Sequence, residues 1–134
     1  MLARTLCFAL QGVEGQPVWV ETDVSGGAFN FSMVGLPDAA VRESRDRVTG
    51  ALRNSGFAMP GGRITVNLSP ADLRKEGAAF DLPIAISILA ASRQAALPAL
   101  DRVLLLGELS LDGSLTPVRG ALSMVIAACQ QGVD

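Results

Sequence analysis

The chain has 134 residues, 49% of them hydrophobic and 18% charged, with a formal charge of −2. That is enough apolar material for one buried core. It is too apolar for a disordered chain, and too weakly charged for the whole domain to attract DNA or an anionic membrane, so any nucleic-acid contact has to come from a local patch.

Residues 1–10 lack the long apolar core of a signal peptide, and Arg4 interrupts them. Residues 5–10 and 17–24 alternate as strands, with Gly12 and Gly15 punctuating an antiparallel hairpin. Gly26–Gly27 marks a turn, and residues 29–34 form a third strand with apolar side chains at every second position. Pro37 and Asp38 open a helix. Along it Val41, Ser44, Val48, Leu52 and Ser55 make one stripe, Arg42–Asp46 and Glu43–Arg47 are opposite-charge pairs at (i, i+4), and Gly56 is the stop. Residues 60–62 turn into a fourth strand, 63–68.

A polar loop over 69–79 leads into an almost wholly apolar helix, 80–96, which has to be buried on most sides. Pro83 is tolerated in its first turn, and Asp81 reads as its cap. The most apolar stretch, 82–100, is broken by Pro83, Arg93 and Pro98 and reads as a core helix, not a membrane span. Residues 103–106 read as a short, fully buried strand. Residues 108–118 form a hairpin around Asp112–Gly113, with Glu108 holding it in place, and a last helix runs over 119–131. The order βββ-α-β-α-β-ββ-α describes an α+β or mixed α/β domain spanning 1–134. The chain stops two residues past Gly132, where Val133–Asp134 reads as the entry to another strand, so a longer protein is expected.

Two cysteines, Cys7 and Cys129, and no histidine give no zinc-site spacing. Both cysteines read as small buried hydrophobes in a reducing cytoplasm rather than as a disulfide.

From Val34 onward the chain resembles the proteolytic domain of the Lon family. The resemblance rests on Glu43–Ser44, Ala51–Leu52, Lys75–Glu76–Gly77, the run from Gly107 to Gly113, and Pro117 to Gly120. It implies an α+β, ribosomal protein S5 domain 2-like fold, a mixed sheet packed with helices. A closer resemblance, over nearly the whole chain, is to the ComM/YifB family, which is similar to magnesium chelatase subunit I. Its motifs are the segments Ala9 to Gly15, Phe31 to Ser44, Ile64 to Asp72, Lys75 to Gly77, Phe80 to Ala85 and Gly107 to Gly113.

The Lon resemblance implies a Ser–Lys dyad, in which a neutral lysine activates a serine hydroxyl. Alignment on Lys75–Glu76–Gly77 puts Ala79 at the nucleophile position, and alignment on Gly107 to Gly120 puts Leu122 at the lysine position. Methyl and isobutyl groups supply no nucleophile and no base, so no catalytic residue is expected. A Ser69–Lys75 pair, using the only lysine, is the remaining alternative. No G-x-x-x-x-G-K-[ST] phosphate loop occurs, so no cofactor is expected here. ATP and Mg²⁺ are expected in the full-length protein, whose AAA+ module the resemblance places beyond residue 134.

Arg45, Arg63, Arg74 and Lys75 are the candidate DNA contacts. The alternative is a solvated surface with neutralised pairs. The family implies self-assembly into a hexameric ring and DNA remodelling during natural transformation; the lack of a signal-peptide core and of a spanning stretch points to a cytoplasmic location with no membrane. Competing expectations are an adaptor of a chelatase-like or protein-remodelling ATPase, a Lon-type peptidase, and an RNA-binding module.

Overall fold

A computed structural model describes residues 1–133. β1 (Leu2–Gln11) and β2 (Glu14–Ser25) form an antiparallel hairpin closed by the Gln11–Glu14 pair. Gly12, at φ +66°, provides the left-handed residue that a two-residue turn needs. β2 pairs antiparallel with β4 (Arg63–Ser69), and β4 takes β3 (Asn30–Val34) in parallel on its far side. The sheet is therefore mixed, in the order β1-β2-β4-β3.

Alternate side chains of a strand point to opposite faces, and here both faces are covered. Leu6 and Phe8 of β1, with Trp19 of β2 beside them, meet Met124, Ala127 and Ala128 of α4 (Ala121–Gln130). The residues between them in sequence, Cys7, Ala9, Val18 and Val20, join Ile64, Val66 and Leu68 of β4 on the other face. That larger core is roofed by α1 (Ala39–Arg42), α2 (Ser44–Asn54) and α3 (Asp81–Ala91), through side chains such as Val41, Val48, Ile84 and Ile88. The result is three layers, helix–sheet–helix.

α3 is buried nearly all round, as its composition requires, and the sheet answers its polar groups. Thr5 donates to the Pro83 carbonyl at 2.8 Å, and Thr22 shares a hydrogen bond with Ser87 at 2.6 Å.

Several elements differ from the expectations above. The helix after Pro37 is two segments, α1 and α2, separated at Glu43. Asp38 caps the first, accepting from the Val41 N–H at 2.7 Å. Of the two expected ion pairs only Glu43–Arg47 forms, at 3.4 Å. α3 stops at Ala91, short of residue 96, because Arg93 turns left-handed at φ +61° and the Gln94 N–H returns to the Leu89 carbonyl.

Residues 103–106 are only partly buried and touch the sheet through a single parallel bridge, Leu6 to Leu104. They lie outside β1, where one flank has no neighbouring strand. The hairpin around Asp112–Gly113 reduces to two short strands, β5 (Glu108–Leu109) and β6 (Leu115–Thr116). Both cysteines are free, but only Cys7 is buried; Cys129 is exposed on α4. Among the described residues no helix is long and apolar enough to cross a membrane.

Candidate functional site

A cleft of about 560 Å³ lies where the end of β1 meets the loop before α3 and the start of α4, and it is lined by Leu10, Ala79, Glu108, Arg119 and Met124 among others. Its loop is held to the segment ahead of α1. The Lys75 N–H donates to the Leu36 carbonyl at 3.0 Å, the Asp38 N–H to the Lys75 carbonyl at 2.9 Å, and the Gly77 N–H to the Asp38 carboxylate at 3.3 Å. Ala79 thus comes to the cleft wall, with its own carbonyl accepting from Gly107 at 3.0 Å.

A methyl group therefore stands at the first dyad position. Leu122, at the second, is outside the cleft on the solvent side of α4, 73% exposed, next to exposed Val125 and Ile126. Only the first of the two positions lines the cleft. Ser69 and Lys75 share no hydrogen bond among the described residues.

Lys75 is itself a correction. It is fully buried and donates its ammonium to the Pro70 carbonyl, so it offers no charge to a phosphate. Desolvation lowers its pKa below the ordinary lysine value, with Asp72 pulling weakly the other way. Arg74 is exposed and paired with Glu76 at 3.4 Å. Arg45 and Arg63 are exposed on different elements, α2 and β4. The four candidate contacts do not form one patch.

Asp81 is a second correction. It is the first residue of α3 and does not cap it; it is fully buried and turned toward α2 and β5. Its carboxylate accepts from the Ser44 hydroxyl, from Arg47 Nε at 2.7 Å and Nη2 at 3.1 Å, and from the Leu109 N–H at 3.0 Å. Arg47 is held above the ordinary arginine value, first by its hydrogen bond to Asp81. Nearby Glu108 adds to this as a charge, while the hairpin is held by main-chain pairing of Glu108 with Thr116. The sequence clue was Ser44, a polar residue inside an apolar stripe.

Residues 20–134 match the family described as subunit ChlI of Mg-chelatase. The chain belongs to the ChlI family. This ChlI-family chain is 49% identical over 124 residues to YifB, an uncharacterized protein of Escherichia coli K12, covering 92% of this chain and 24% of that protein. It is 45% identical over 131 residues to an uncharacterized protein of Mycobacterium tuberculosis, covering 98% and 26%. It is also 48% identical over 127 residues to the competence protein ComM of Haemophilus influenzae, covering 95% and 25%. The chain spans about a quarter of the length of these relatives.

Among the described residues no three His, Cys, Asp or Glu side chains converge to hold a metal, and the ChlI-family chain contains no phosphate loop.

Proposed function

We propose that this ChlI-family domain, with an S5 domain 2-like fold, is a non-catalytic accessory part of a hexameric AAA+ ATPase that remodels DNA by branch migration or unwinding. The observation that carries the non-catalytic reading is the cleft with Ala79 in its wall and Leu122 outside it. The motor reading draws on near-complete coverage by a competence protein at 48% identity. ATP and Mg²⁺ belong to the part of the full-length protein outside this chain, and the domain's work is to organise the ring or to contact DNA.

A second reading, an adaptor in a chelatase-like ATPase, draws on the description of the family itself. ATP hydrolysis by the full-length protein, with and without single-stranded or branched DNA, separates the two. Turnover stimulated by DNA is the expected result. Turnover indifferent to DNA removes the remodelling motor and favours the adaptor.

A further inference from the structure

Arg42, at the end of α1, and Arg45, in the first turn of α2, are both exposed. Neither guanidinium has an ion pair or hydrogen-bond partner among the described residues, although Asp46 follows directly. Some other arginines are engaged, Arg47 by Asp81, Arg74 by Glu76 and Arg4 by the face of Trp19 at 4.0 Å. Among the described residues Arg53, Arg63, Arg102 and Arg119 are as free as these two; what sets Arg42 and Arg45 apart is that they share one recess.

Arg42 and Arg45 together line one recess of about 290 Å³, whose other wall is Phe31, Ser32 and Met33 of β3. No carboxylate lines it. β3 is an edge strand, so main-chain donors on its outer side have no neighbouring strand. Two guanidinium groups, with five donors each and no carboxylate in the recess wall to neutralise them, call for an anion with several oxygens.

The neighbouring side chain selects among such anions. Phe29, just before β3, is 55% exposed and lies about 7 Å along the chain from Phe31. Cationic groups with an exposed aromatic ring two residues along the chain from their recess wall match a single-stranded nucleic acid, whose phosphates meet the charges while a base stacks on the ring. An acidic peptide would answer the arginines and leave the ring unused. Trp19 cannot replace Phe29, because Arg4 already covers its ring.

We propose that the recess between β3 and the α1–α2 junction binds the phosphodiester backbone of single-stranded nucleic acid through Arg42 and Arg45, with Phe29 stacking on a base. This rests on the DNA-remodelling reading above and places the contact of this domain on Arg42 with Arg45, instead of on Arg74 and Lys75.

The test is fluorescence anisotropy of a labelled oligothymidylate of about 20 nucleotides, titrated with the 134-residue chain over a range of salt concentrations. Arg42→Ala/Arg45→Ala is expected to flatten the slope of log K against log salt by about 1.4, at ~0.7 per lost phosphate contact on a single strand. Arg42→Lys/Arg45→Lys keeps the slope. Phe29→Ala weakens binding about tenfold with the slope unchanged, and Arg74→Ala changes neither. All of these side chains are exposed, and unchanged circular dichroism checks the fold.

No binding by the unsubstituted chain, or a slope that survives the double alanine variant, overturns the proposal. Displacement of the oligonucleotide by polyglutamate at equal charge also overturns it, in favour of an acidic protein partner. The full-length ATPase separates this proposal from the reading beneath it. DNA stimulation that persists undiminished in the double alanine variant overturns the site and leaves the motor standing. No stimulation in the parent protein removes the motor reading, and the anisotropy series still decides the site.

Discussion

Cys7 faces the larger core from β1, and burial pushes its thiol up to about 12 from an ordinary 9.0. In the folded chain it stays a protonated thiol at pH values where the unfolded chain ionises it. Its contribution to stability is therefore complete below pH 9 and is lost as pH rises toward about 12, with a slope approaching ~1.4 kcal/mol per pH unit. Lys75 works in the opposite sense. Its lowered pKa makes the folded state release a proton first, so stability rises with pH between that lowered value and 10.5. Urea titrations of the parent chain and Cys7→Ala isolate the first effect. The advantage of the parent over the variant should shrink from pH 9 upward, and a constant gap across that range would show that Cys7 does not titrate as described. Burial of Cys7 is legible from its residue type, whereas that of Lys75 is not, because a lysine in a polar loop reads as exposed.

At the scale of elements, one carboxylate fastens three of them. Asp81 begins α3 and receives donors from Ser44 and Arg47 of α2 and from Leu109 of β5. Asp81→Ala leaves two nitrogens of the half-buried Arg47 guanidinium, a buried hydroxyl and an amide without this acceptor. The expected loss is about 3–5 kcal/mol of unfolding free energy, seen as an earlier urea midpoint; a loss below about 1 kcal/mol would mean that water replaces the carboxylate. The same residue shows where reading the sequence stops. Alternation located β1, β2, β3 and β4 because the period of two survives in Leu6–Phe8, Val18–Val20 and Ile64–Val66–Leu68. An Asp at the start of an apolar helix looks the same whether it caps that helix or reaches a serine 37 residues away. The apolar run at 103–106 is ambiguous in a similar way, since nothing in four aliphatic residues separates a central strand from one lying outside β1. Gly35, just ahead of Pro37, gives no signal of its packing in the sequence. Its role is to turn at φ +107° where the Leu68 carbonyl occupies the space a Cβ would need.

For the molecule as a whole, the two resembling catalytic positions differ in what they face. Ala79 sits on the α3 loop in the cleft, whereas Leu122 faces away from the sheet on α4. Restoring both residue types with Ala79→Ser/Leu122→Lys is accordingly expected to give no hydrolysis of a fluorogenic peptide; measurable turnover would show that α4 can rotate its outer face into the cleft. The two cores also differ in what they reveal to light. The chain has one tryptophan and no tyrosine, and Trp19 lies against the smaller core, beside Leu6, Phe8 and the inner face of α4. Intrinsic fluorescence excited in the near ultraviolet therefore comes from that single indole. An emission shift to longer wavelength would report α4 lifting from the sheet, while rearrangement between α2 and α3 alone would pass without a signal.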